Sequence, residues 1–176
     1  MSKFIKGLMT VYLRTVNFFR SVKYPEASRI YFIRSREDFE KLINSFEYKA
    51  DPLRGLCDYV AHPDKFFDRD RKEGRDCDDW ARIWSLWGTY HNYRAREYVV
   101  CNPSSIKKAF STMHVITVLQ NKATGKWFLA NYHWYGPFKT EEEALDYLKN
   151  WSSYGDNKLV VFSREIPADP DPLPID

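Results

Sequence analysis

Apolar residues recur at three- and four-residue steps in two early stretches and then begin to alternate. Phe39, Leu42, Ile43 and Phe46 make the first stripe, behind Ser35 and with Asp38 three places on in a capping-box-like start. Trp80, Ile83, Trp84, Trp87 and Tyr90 repeat the period more strongly and predict a largely buried helix opening at Asp76 or Cys77. Asp76 is its expected N-cap and Asp79 the partner three residues later. Strand patterns follow at 96–101, 112–120 and 126–133, with Asn121 to Gly125 as a hairpin loop between the last two. Thr140 and Glu143 open another helix through Ala144, Leu145, Leu148 and Trp151, and 158–163 reads as a final strand. One earlier run, 28–34, also reads as a strand. The densely charged segment 50–75 reads as a long surface connection, with Arg75 among its solvated charges. Helices ahead of an antiparallel set predict an α+β fold, the cysteine-bearing helix packed on a small antiparallel sheet.

The ends differ from this middle. Residues 1–25 form an expected basic amphipathic helix, with Phe4, Leu8, Val11 and Phe19 near helical spacing. Arg14 interrupts the apolar stretch that a secretory signal would need. Packing on the domain or a partner is the first reading, and membrane-surface contact through residues 1–20 the lesser one. Residues 26–166 make a single domain, and 167–176 an acidic, proline-rich tail.

Composition narrows the classes. A 44% hydrophobic, 17% aromatic chain of 176 residues can bury a core and is not disordered. A net charge of +3 makes no case for nucleic acid, and no apolar run is long enough for a membrane span. Three cysteines, Cys57, Cys77 and Cys101, are too few and odd in number for a disulfide framework, which points to a reducing, cytoplasmic setting.

Cys77 carries the candidate chemistry. A thiol in the first turn of a helix meets the positive end of the macrodipole, which favours the nucleophilic thiolate. Asp76, Asp78 and Asp79 crowd the same turn and oppose that charge. Alternation puts His114, Ile116 and Val118 on one face of a strand and Trp127, Leu129, Asn131 and His133 on one face of the next. A hairpin centred near Lys122 or Ala123 brings His114 opposite or diagonal to Asn131, roughly 4.5–8 Å apart at Cβ. A base held by an amide is what a thiol nucleophile needs. Taken singly, a cysteine at a helix start and a histidine on a strand are more often structural, and only their joint arrangement raises the catalytic reading.

The run Gly74-Arg75-Asp76-Cys77-Asp78-Asp79-Trp80-Ala81, the strand opening His114-Val115 and the run Trp127-Phe128-Leu129-Ala130-Asn131 resemble the transglutaminase-like cysteine peptidase superfamily, in particular its bacterial and phage branch. The likeness spans about 63–135. It implies a papain-like core with Cys77 as nucleophile, His114 as general base and acid, and Asn131 as orienting residue. His133 is the alternative third member. The implied reaction is amide hydrolysis of a protein or peptide through a thioester. Transglutaminase, deamidase or cell-wall amidase chemistry would use the same intermediate. The implied setting is a bacterial or phage-infected cell.

The chain departs from that pattern in three places. Arg75 stands where the family has glycine, Asn131 where many relatives carry aspartate, and no glutamine precedes Cys77 to build the oxyanion site. The backbone N–H of Cys77 is then one expected donor, with Tyr59 or His62 as the second. The resemblance also raises calcium at Asp76, Asp78 and Asp79, although helix capping explains these acids without a cofactor. A non-catalytic binding module and a structural phage component are the rival classes.

Overall fold

The computed structural model describes residues 30, 32–49, 66–67, 75–102 and 104–151, together with the backbone of 159–165. Among these, helix α1 spans Arg36–Ile43 and α2 spans Cys77–Tyr90. Strand β1 (Tyr93–Cys101), helix α3 (Ile106–Ser111), strands β2 (His114–Asn121), β3 (Trp127–Ala130) and β4 (Trp134–Phe138), helix α4 (Glu141–Tyr147) and strand β5 (Leu159–Glu165) follow. The five strands form one antiparallel sheet in the order β4-β3-β2-β1-β5. The fold is α+β.

Both faces of the sheet are covered. On one, Ala95, Leu119 and Ala130 pack against Trp80, Ile83, Trp84 and Trp87 of α2, and α1 adds Phe39 and Ile43 to the same core. On the other, Tyr98, Ile116, Val118 and Leu129 meet Ala144 of α4 and Leu148 of the 3-10 turn that follows it. The period-2 alternation of β1 and β2 therefore feeds two cores rather than one core and solvent.

Helix α2 buries its polar side as well as its aromatic one. Arg82 Nε donates to Glu97 Oε1 at 2.9 Å, and both residues are buried. Thr117 Oγ1 donates to Ala81 O at 2.6 Å and lies 3.1 Å from Ser85 Oγ. Glu97 and Thr117 are direct partners across β1 and β2, so one rung of the sheet pins three residues of the helix. One turn on, Gly88 lets the helix touch the sheet: a Cβ there would stand 2.0 Å from Leu119 Cδ2.

Local starts follow the side-chain chemistry. Ser35 accepts from Asp38 N–H, Ser105 from Lys108 N–H and Thr140 from Glu143 N–H. Glu143 reaches back to Lys139 N–H at 2.7 Å.

Several expectations are corrected. Within 28–34, Ile30 and Phe32 are helical and Ile33 N–H donates to Ile30 O, so the β-rich composition of that run loses to packing of Ile30 in the helical core. Within 50–75, Phe66, Phe67 and Arg75 are buried. Phe66 packs edge-on to Trp80, and the Arg75 guanidinium lies over the rings of Phe46 and Phe66 while its Nε donates to Phe66 O. Arg75 is thus an interior residue held by rings and a carbonyl, not a solvated charge. Strand β4 and helix α3 had no counterpart in the hydrophobic pattern. The helix expected in 1–25 and the tail 167–176 lie outside the described residues.

Candidate active site

Contacts along α2 and β2 fix where the cysteine lies relative to the histidine. Gly88 meets Leu119, and Ala81 meets Thr117, so helix and strand run in the same direction. Cys77 lies four residues before Ala81, about 6 Å back along the helix. His114 lies three residues before Thr117, about 10 Å back along the strand. Both starts therefore fall at one end of the sheet.

His114 does not lie on the face beneath the helix. Thr117 and Leu119 occupy that face, and His114 alternates with Ile116 and Val118, which face α4. The imidazole approaches the start of α2 from the end of its strand, where the negative charge of Asp76 acts on it.

Asn131 closes on the ring. Asn131 Nδ2 and His114 Nε2 are 2.7 Å apart. The observed register, Thr117 opposite Ala130, makes Asn131 the diagonal neighbour of His114. The turn carrying Asn131 is held from both sides: Trp84 Nε1 of α2 donates to Asn131 O, and Glu40 Oε1 of α1 accepts from Trp134 N–H at 3.2 Å. Asn131 N–H also donates to His133 O at 3.1 Å. His133 itself is exposed and turns to Glu40 at 3.5 Å, so the contact with His114 belongs to Asn131.

Burial sets the protonation of His114. Desolvation drives its pKa down to about 4, against smaller upward pulls from the Asn131 hydrogen bond and the Asp76 charge. The imidazole is neutral at physiological pH. Two amide orientations suit a neutral ring. With Nδ2 toward the ring, Nε2 accepts and Nδ1 carries the proton, while Asn131 Oδ1 is buried without a hydrogen bond. With the amide turned over, Oδ1 accepts from Nε2–H and Nδ1 keeps its lone pair. Only the second form leaves a base.

A stability consequence follows with a definite sign. The unfolded chain protonates His114 near 6.5, whereas the folded protein resists until about 4. Stability that is fully present above pH 6.5 is therefore lost as the pH falls, and the loss is complete by about 4. The gap corresponds to about 3 kcal/mol. Chemical denaturation at pH 7 and pH 4 is expected to show a larger acid loss in the wild type than in His114→Gln; equal losses would mean that the folded ring titrates normally.

Tyr132 links the parts of the site. Its ring centroid is 6.3 Å from His114, 5.1 Å from Trp80 and 5.7 Å from Tyr48. Its hydroxyl is held far above the ordinary phenol range by desolvation first and by the charge of Cys77 next. Tyr132 thus neighbours both the thiol and the imidazole. Cys77 is half-buried; Cys101 is fully buried, its thiol pushed up to about 11 by desolvation. Tyr59, His62 and Cys57 lie outside the described residues.

The acids of the first turn are buried. Asp76 is the N-cap residue of α2, as expected, but its side chain makes no cap hydrogen bond, and Asp79 N–H bonds to Asp78 Oδ1 at 2.9 Å. One oxygen from each of Asp76, Asp78 and Asp79 lies within 4.8 Å of the others. That spread fits one calcium ion with oxygens about 2.4 Å from it. Equally, three carboxylates complement the N-terminal dipole of α2.

A cavity of about 540 Å³ opens beside the imidazole, bounded by Met113, His114, Asn131, Tyr132, Tyr135 and Trp151. Tyr135, four places after Asn131, lines it. Trp134 points to the opposite core, against Trp84, Trp87 and Phe128. Trp151 was read only as part of a helical stripe, and its 6.0 Å approach to the His114 ring had no sequence signal. Among the described residues, no helix is long and apolar enough to cross a membrane. Comparisons with protein-family models, curated proteins and solved structures returned no match.

Proposed function

We propose that the chain is a thiol hydrolase of amide bonds, with a transglutaminase-like, papain-like arrangement of Cys77, His114 and Asn131. The observation that carries the reading is the His114–Asn131 pair, with its neutral imidazole at the same end of the sheet as the cysteine-bearing helix start. Asn131 engages Nε2, which leaves Nδ1 as the nitrogen available to the thiol. The thiol passes its proton to Nδ1 as sulfur attacks the carbonyl carbon, and the imidazolium returns it to the leaving amine. Water then attacks the thioester with the same nitrogen as base. The backbone N–H of Cys77, in the first turn of α2 at the positive end of its dipole, is the oxyanion donor in this scheme.

Asp76, Asp78 and Asp79 oppose negative charge at the sulfur, so in this scheme His114 takes the proton during attack. The substrate is a protein or peptide. No step in this scheme needs a metal, and the three carboxylates complement the N-terminal dipole of α2 without one. A non-catalytic binding module is the second reading, favoured by the alternation that puts His114 on the face away from α2.

Alkylation separates the two. With iodoacetamide at pH 7 in EDTA, mass spectrometry is expected to find Cys77 modified well ahead of Cys101. The Cys77 rate should fall about tenfold in His114→Ala, as expected for loss of a coupled base. An unchanged rate in that variant would favour the binding module, and a rate restored only by added calcium would place an ion at Asp76, Asp78 and Asp79.

A further inference from the structure

We propose that the cavity beside His114 is a specificity subsite for an aromatic or large aliphatic side chain of the substrate, next to the bond that is cut. The proposal rests on the hydrolase reading and names the substrate class for that same site. The cavity volume of about 540 Å³ exceeds what one side chain needs and leaves room for adjoining backbone.

Its walls are rings tilted against one another. Tyr147 backs Tyr135 at 5.3 Å, Tyr135 meets Trp151 at 5.9 Å, and Trp151 meets His114 at 6.0 Å. Such a wall accepts an apolar or aromatic group by burial and offset ring contacts. The chain of rings ends on the imidazole, so a side chain seated against Trp151 brings its own backbone to His114.

Charge and hydrogen-bonding capacity exclude other occupants. Among the described residues that line the cavity there is no Asp, Glu, Lys or Arg, and the ionisable base there, His114, is neutral. A charged side chain would lose water there and gain no counter-charge. The two hydroxyls at the rim are already committed: Ser111 Oγ and Thr112 Oγ1 both donate to Lys108 O, at 3.1 and 2.8 Å. Thr112 Oγ1 also accepts from Asn102 N–H at 2.8 Å.

Two measurements test this. In the first, wild-type protein hydrolyses matched peptides that carry Trp, Leu, Ser, Lys or Glu beside the scissile bond. A preference for Trp or Leu over Lys and Glu of roughly tenfold or more in kcat/KM is expected, shrinking toward unity in Trp151→Ala mainly through KM. In the second, Cys77→Ala protein is titrated with N-acetyltryptophanamide and N-acetyllysinamide while the His114 ring signals are followed by NMR. Saturable shifts with the tryptophan compound alone are expected. Hydrolysis with no side-chain preference, or equal shifts with both compounds, overturns the subsite and leaves the hydrolase standing. Selective shifts with no hydrolysis of any peptide keep the subsite and remove the hydrolase. Absence of shifts with both compounds overturns the subsite.

Discussion

Replacing His114 by alanine is expected to lower kcat/KM for peptide-bond hydrolysis by about 10³-fold, within the range of general acid–base catalysis. The imidazole is asked to take the thiol proton and to return it to the amine, and no other described side chain combines contact with Asn131 and exposure to the cavity. Asn131→Ala is expected to cost less, about 10²-fold, because the ring remains but its orientation and tautomer are no longer fixed. Asn131→Asp gives a sharper readout. A carboxylate at 2.7 Å from Nε2 favours the imidazolium and raises the His114 pKa from about 4. The base must be neutral to accept a proton, so the acid limb of the kcat/KM profile is expected to move to higher pH in this variant. A purely structural role for Asn131 would lower activity without moving that limb, and a full set of unchanged profiles would remove His114 from the chemistry.

The helical stripes, the capping serine and threonine, and the β2–β3 hairpin were legible because each rests on contacts within a few residues. Ser35 and Asp38, or Thr140 and Glu143, satisfy backbone groups in their own turn. Asn131 beside His114 was legible for the same reason, since a short hairpin nearly fixes which residues oppose one another. What failed was long in range or ran against composition. Arg82 and Ser85 look like a solvated helix face, because their partners Glu97 and Thr117 lie 15 and 32 residues away on two different strands. Arg75 sits in a run of charges, and only the rings of Phe46 and Phe66 reveal that it is interior. Strand β4 contains Gly136 and Pro137, which both argue against a strand when read singly. Which face α2 covers was not legible, because alternation gives two faces without saying which one a distant helix will choose. The cavity wall needed Trp151 beside β2, a contact across 37 residues that periodicity cannot supply.

Glu97→Ala is expected to be among the most destabilising single changes, by about 3–5 kcal/mol, although Glu97 belongs to no catalytic step. The carboxylate is 6% exposed and Arg82 3% exposed, and they meet at 2.9 Å between α2 and β1. Removing the glutamate leaves a buried guanidinium that cannot shed its proton, so its charge loses this carboxylate partner in the interior. Arg82→Met is expected to cost less than Arg82→Ala, since a long apolar side chain refills the volume, but it leaves Glu97 to protonate or seek water. The double change Arg82→Met with Glu97→Leu removes both charges together and is expected to recover most of the loss seen in Glu97→Ala. Urea midpoints at pH 7 measure all four variants on one scale. The pair also bears on the site. It lies on the same rung as Thr117, which bonds Ala81 one turn after Cys77, so loosening it frees the start of α2. Glu97→Ala is therefore expected to slow Cys77 alkylation even in conditions where the protein stays folded. The double variant is expected to restore that rate along with stability. Recovery of stability without recovery of the rate would separate the anchoring of the helix from the placement of its thiol.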